Sequence, residues 1–223
     1  MRCVIFDLDG TLADTSGDLI AAANACFRGL GHGDLLDPLR DQGTALKGGR
    51  AMLRLGFDRL GVLETQMDVD AHYPVLLQHY GDNIDAMTVL YPGAADAVER
   101  LRSGGYAVGI CTNKPAALAE TLMTRLGVRD LFGSLIGADT LAVRKPDPAA
   151  LVAAVTGAGG DPARALLVGD TETDHLTARA AGVPSVLVTF GPGGSGVELL
   201  QPDALLSDYA DLPDLAARLI PQD

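Results

Sequence analysis

With 223 residues, 48% of them hydrophobic, the chain can build one large domain or a domain carrying an insert. Aromatic residues make up only 4% and tryptophan is absent, so Ala, Leu and Val must fill the core. A net charge of −12 without a basic stripe argues against a nucleic-acid backbone or an anionic membrane surface as partner. It leaves a phosphate ester open, because metal, Lys and backbone N–H groups can make a local positive site in an acidic protein.

Cys3-Val4-Ile5-Phe6 reads as a buried strand of a parallel sheet. Because the chain enters it at once, no signal peptide is expected, and no stretch approaches a membrane span. Cys3, Cys26 and Cys111 form an odd set without CxxC spacing and read as buried thiols in a reducing compartment, so the expected location is the cytoplasm.

Residues 14–85 read as all-helical. Asp14-Thr15-Ser16 can cap a helix through Leu19–Phe27 that closes at Gly29 to Gly33. Further helical patterns lie at 44–55, 60–64 and 69–80, broken by Gly43, Gly48-Gly49 and Gly56, and Pro74 should mark a start or a kink. This block is expected to be a separate lid on a core made of residues 1–13 and 86–223.

From Leu90 the pattern alternates. Helices are expected at 94–103, 115–126, 148–156, 172–181 and 212–220, and strands at 106–111, 134–137, 165–168, 185–190 and 204–206. Strands alternating with helices imply βαβ units, so the fold class is α/β: a Rossmann-like, doubly wound parallel sheet with an inserted helical domain. The glycine-rich turn at 191–196 lacks the Lys-Ser/Thr of a phosphate-binding P-loop and reads as an ordinary loop.

In such a sheet, ligands bind at the carboxyl ends of the strands. The first strand ends in Asp7-Leu8-Asp9-Gly10-Thr11, where two close carboxylates would repel unless a hard divalent cation joined them. Another ends in Thr112-Asn113-Lys114-Pro115, a hydroxyl and N–H groups at a helix start, able to cradle phosphate or simply to cap the helix. Lys145, beside Pro146, offers a point charge for a carboxylate and a phosphate oxygen together. Gly169-Asp170 closes the apolar run Leu166–Val168, and Asp174, one helical turn later, can face the same point as Asp170.

These four sites, in this order and with a helical insert after the first, resemble the haloacid dehalogenase superfamily of phosphatases. Val168–Asp174 and Ala180-Ala181-Gly182-Val183-Pro184 look most like its phosphoglycolate phosphatases, although His175 stands where an apolar residue is more usual. The resemblance implies a helical cap and a Mg²⁺-dependent hydrolysis of a small phosphorylated metabolite, with 2-phosphoglycolate a candidate. In it Asp7 would be the nucleophile that becomes an aspartyl-phosphate, and Asp9 the general acid and then base. Mg²⁺ would be held by Asp7, the Asp9 carbonyl and Asp170, with Asp174 as a direct or outer partner. Thr112, Asn113 and Lys145 would bind phosphoryl oxygens. Asp9 also argues against dehalogenation. A β-phosphoglucomutase-like mutase shares the same four sites, and a non-catalytic regulator on this fold is a further alternative.

Lys47 and Arg50, two cations in the glycine-bounded stretch 43–50 of the insert, are candidates for reading a substrate carboxylate. His72 and His79 lack the further ligands of a zinc set, and His32 has no visible role.

Overall fold

The structure, a computed structural model, describes residues 1–62 and 68–222. In chain order the elements are β1 (Cys3–Phe6), β2 (Ala13–Asp14), α1 (Ser16–Gly29), α2 (Gln42–Ala45), α3 (Gly49–Arg59), α4 (Val69–Asp82), β3 (Val89–Leu90), α5 (Ala94–Ser103) and β4 (Ala107–Cys111). They continue with α6 (Ala116–Arg125), β5 (Ser134–Ile136), α7 (Pro148–Gly157), β6 (Ala165–Gly169), α8 (Glu172–Ala181), β7 (Ser185–Val188), β8 (Ala204–Leu206) and α9 (Leu212–Leu219). The chain divides into two compact units, Met1–Asp14 with Leu90–Asp223, and Thr15–Val89.

The first unit is built on a six-stranded sheet in the order β5-β4-β1-β6-β7-β8. All five pairings are parallel, with Phe6 in register with Ile110 on one side and Val168 on the other. This is the expected α/β fold. The chain moves outward from β1 in one direction and then returns to extend the sheet in the other, so the carboxyl ends of β1, β4 and β6 lie side by side at the switch point. The core beneath them uses small and aliphatic residues: Cys3, Ile5, Ala107, Ala150, Leu151, Ala154 and Leu167 form one buried cluster. Parallel strands covered on both faces need such unbroken apolar runs.

The second unit is helical. As expected, the pattern at 44–55 breaks at Gly48-Gly49: α2 ends at Ala45, and α3 starts only after Gly48, whose φ of +93° suits glycine. Conversely Gly56 does not break α3, which runs through it to Arg59. A Cβ there would lie 2.1 Å from Phe27 Cζ, so this glycine is a contact surface for α1. Phe27 and Phe57 pack edge to face at 5.5 Å, and His72 lies 5.7 Å from Phe57 as part of this packing. The helical pattern at 60–64 reduces to Leu60, the cap residue of α3; Leu63 and Glu64 lie outside the described residues. Helix α4 starts at an Asp68 cap and contains Pro74. The two-residue strands β2 and β3 were not expected; they are too short to carry a hydrophobic period.

Buried Asp18 ties the ends of this unit together. Its carboxylate accepts from the N–H groups of Met87 and Thr88 and from Thr88 Oγ1, at 2.7–3.1 Å. Among the described residues, no helix is long and apolar enough to cross a membrane.

Candidate active site

Asp7 follows β1 but remains in its ladder, since its N–H donates to the Val168 carbonyl at 2.8 Å. The chain then turns tightly. The Leu8 carbonyl accepts from Thr11, Leu12 and Ala13, and Gly10 adopts φ +83°, which is why glycine stands there. This turn is braced from two distant segments. Thr11 Oγ1 donates to Asp170 Oδ1 at 3.0 Å, and the buried Tyr209 hydroxyl donates to the Thr11 carbonyl at 2.7 Å.

Lys145 enters between the carboxylates. Its Nζ is 2.6 Å from Asp174 Oδ1 and 2.8 Å from Asp7 Oδ1, and the side chain is buried. Burial pushes the ammonium down, but Asp174 and Asp7 outweigh it and hold Lys145 well above the usual lysine value. Asn113 Nδ2 donates to the Lys145 carbonyl at 3.0 Å, so the candidate phosphate ligand Asn113 also braces the lysine's backbone. Asp174 is saturated: its second oxygen accepts from Thr171 N, Thr171 Oγ1 and Asp170 N at 3.1, 2.8 and 3.3 Å.

Asp7, Asp170 and Asp174 each bring one carboxylate oxygen within 4.8 Å of the others, and all three are buried. Three carboxylates thus face one ammonium. Burial, with Asp174 adding to it against the pull of Lys145, raises Asp7 to about 6. Burial and then its two acidic neighbours raise Asp170 well above the carboxylate range. Asp170 Oδ2 is buried with no hydrogen-bond partner, and the Asp7 Oδ1 charge is met only by the Lys145 ammonium that Asp174 shares. Buried oxygens without donors are costly, and a hard cation that prefers oxygen ligands answers both the charge and the unmet lone pairs. The residues present therefore fit a divalent metal.

Thr112 is buried at the end of β4, and its Oγ1 accepts from the Lys114 N–H at 3.2 Å. It does not occupy the cap position of α6, which is Pro115, while the Ala116 N–H is taken by Asp139. Lys114 carries no assignment from the sequence, yet it is buried and its Nζ lies 2.7 Å from Asp9 Oδ1. Its position beside Thr112 was the available signal. Gly191 was another residue passed over: a Cβ there would stand 2.7 Å from the Gly10 carbonyl and 3.4 Å from Asp170 Cβ. Cys111 is inert at this edge, its thiol pushed up to about 12 by burial.

Asp7, Asp9, Thr112, Asn113, Lys145, Asp170 and Asp174 thus belong to one group of strand ends. Lys47 and Arg50 belong to the helical unit. Lys47 is exposed between α2 and α3. Arg50 is engaged there: Nε donates to Asp70 Oδ1 at 2.9 Å, and the guanidinium lies 3.8 Å from the centre of the Tyr73 ring.

The profile of the haloacid dehalogenase-like hydrolases matches residues 1–182. The chain is 40% identical to a phosphoglycolate phosphatase of Mesorhizobium japonicum, over 97% of this chain and 96% of that protein. It is 36% identical to one of Agrobacterium fabrum, over 97% and 93%. In fold it is similar to a crystal structure described as a predicted phosphoglycolate phosphatase from Haemophilus somnus, with a TM-score of 0.84 at 24% identity over 96% and 97% of the two chains. On the profile match and these full-length relatives, the chain belongs to the haloacid dehalogenase-like hydrolase family.

Proposed function

We propose that the protein is a Mg²⁺-dependent phosphatase acting on a small phosphate monoester through an aspartyl-phosphate on Asp7. The observation that carries this reading is the buried cluster of Asp7, Asp170 and Asp174 around the single Lys145 ammonium, with Asp170 Oδ2 left without a donor. The relatives' activity makes 2-phosphoglycolate the first substrate to test.

Asp7, the Asp9 carbonyl and Asp170 would hold the metal. Asp174, with both oxygens occupied, would stand behind them and fix Lys145 and the Asp170 loop. When bound, the cation supplies charge neutralisation for the phosphoryl oxygens and the attacking carboxylate. Asp7 attacks phosphorus, Asp9 protonates the departing oxygen, and Asp9 then takes a proton from the water that hydrolyses the aspartyl-phosphate. Lys145 and Thr112 hold the phosphoryl oxygens as charge spreads over them, with Asn113 keeping the Lys145 backbone in place. The helical unit would act as the cap that selects the leaving group, and the protein would work on a soluble metabolite in the cytoplasm.

The test is phosphate release from a panel of small esters, with Mg²⁺ and with chelator. Metal-dependent release without any added sugar bisphosphate supports the proposal. Turnover only with a bisphosphate present would mean a mutase, and absence of turnover across the panel would mean a non-catalytic protein.

A further inference from the structure

The unassigned group in this site is Lys114. Lysine is almost never fully buried without a partner. Here the side chain is 3% exposed and its Nζ lies 2.7 Å from Asp9 Oδ1, while Asp9 itself is only 17% exposed. The lysine is anchored by its own backbone on both sides: its N–H donates to Thr112 Oγ1 at 3.2 Å, and its carbonyl accepts from Ala138 N at 2.9 Å. Asp9 stands on the turn that Gly10 opens, and its Oδ1 is the atom the ammonium meets. A cation on a clamped backbone reaching a carboxyl group on a turn is a way to fix where that carboxyl group points.

We infer that Lys114 is a positioning residue for Asp9, holding its carboxyl group in the orientation from which it reaches the departing oxygen of the substrate. The inference rests on the proposed acid/base role of Asp9. It assigns no contact between Lys114 and substrate, and it distinguishes Lys114 from Lys145, whose partners are Asp7 and Asp174. Proton transfer demands hydrogen-bond reach at the moment of bond breaking, so a misdirected carboxyl group loses rate more than it loses substrate affinity.

The experiment compares wild type, Asp9→Asn, Lys114→Met and the double variant by kcat/KM on 2-phosphoglycolate and p-nitrophenyl phosphate. This constant covers steps through departure of the leaving group, and nitrophenolate departs without a proton. Asp9→Asn should lose about 100-fold or more on phosphoglycolate, the ordinary scale of general acid catalysis, and much less on the aryl ester. Lys114→Met should show the same bias, losing about tenfold on phosphoglycolate. The double variant should be no worse than Asp9→Asn within about threefold, because residues acting as a unit are not additive.

Equal losses on both esters, or a double variant that multiplies the two single losses, would overturn the inference. Multiplication is also the result expected if Lys114 bound the substrate carboxylate directly. If Lys114→Met does not fold, Lys114→Gln is read the same way. Failure of both neutral variants to fold would make the pair purely structural and overturn the assignment. Absence of leaving-group bias in Asp9→Asn sinks the acid reading of Asp9 itself; bias there but not in the Lys114 variants sinks only the present inference.

Discussion

Gly169 is the platform on which Asp174 sits: a Cβ at Gly169 would lie 2.3 Å from Asp174 Cβ, far inside contact distance. This explains a glycine directly after the apolar run Leu166–Val168. The Asp174 carboxylate passes over the end of β6 to reach both the Asp170–Thr171 N–H groups and Lys145 Nζ. Gly169→Ala must therefore shift α8 or β6, since the clash involves the base of a side chain rather than a flexible tip. Overpacking of this kind costs about 1–3 kcal/mol. Thermal melting should fall by several degrees, and phosphatase activity should fall further than the stability loss explains, because Lys145 loses its anchor.

Replacing Asp7, the proposed nucleophile, should separate stability from activity. Asp7→Asn removes one of three carboxylates crowded around a single ammonium. The metal-free variant should melt no lower than metal-free wild type, since burial and Asp174 already disfavour the charge on Asp7. Turnover should disappear. Retention of a tenth or more of wild-type kcat, a barrier difference of about 1.4 kcal/mol, would exclude covalent catalysis by Asp7.

Metal binding should distinguish the acids. Asp170 has a buried oxygen with no donor, whereas Asp9 Oδ1 is paired with Lys114. Asp170→Ala should lose Mg²⁺ affinity by calorimetry far more than Asp9→Asn, which keeps the backbone carbonyl. For wild type, Mg²⁺ at about 100 times its dissociation constant should add about 2.7 kcal/mol of stability. Equal losses in the two variants would make Asp9 a side-chain ligand and undo the acid/base role proposed for it.

The core strands and the polar clusters at their ends were readable because each feature is local. An apolar run of four or five residues followed by a polar cluster identifies a strand and its polar end within one short window, as at Asp7, Thr112 and Asp170. What escaped reading depends on contacts between distant segments. Gly56 looks like a helix breaker until Phe27 is found against it, and Gly191 looks like loop filler until the Gly10 carbonyl is found 2.7 Å from its would-be Cβ. Lys114 is a surface-type residue that only its burial against Asp9 distinguishes. Arg50 shows the converse: its place in the sequence suggested a free cation, but α4 brings Asp70 and Tyr73 to it.

The helical unit should carry its own acid-sensitive lock. Arg59 donates from Nη1 and Nη2 to the two Asp41 oxygens at 2.7 and 2.8 Å, joining α3 to the start of α2. This hydrogen bonding, followed by that of the Asp37 N–H, holds the Asp41 carboxyl below its ordinary value despite burial. A depressed carboxyl stabilises the fold above the unfolded value of about 3.9, and that contribution is lost as pH falls through the lower folded value. Arg59→Met should therefore melt lower than wild type at pH 7, and the gap should narrow below about pH 4. A gap independent of pH would assign the effect to packing of the arginine stem.

Substrate choice should be read in the helical unit, and there the two cations now separate. In the proposed reaction the strand-end residues would grip only the phosphoryl group, so a carboxylated ester such as 2-phosphoglycolate would need a cation elsewhere to be preferred. Arg50 is occupied by Asp70 and stacked on Tyr73, and moving it would sacrifice both contacts. Lys47 is exposed, on the turn that leads through Gly48 into α3. Lys47→Ala should lower kcat/KM on 2-phosphoglycolate by about tenfold or more, about 1.4 kcal/mol, while leaving p-nitrophenyl phosphate nearly unchanged. Arg50→Ala should instead lower the melting temperature, with a smaller loss of preference between the two esters. Equal effects of Lys47→Ala on both esters, or none on either, would remove Lys47 from recognition. A larger selective loss in Arg50→Ala would mean that Asp70 releases the arginine when substrate arrives.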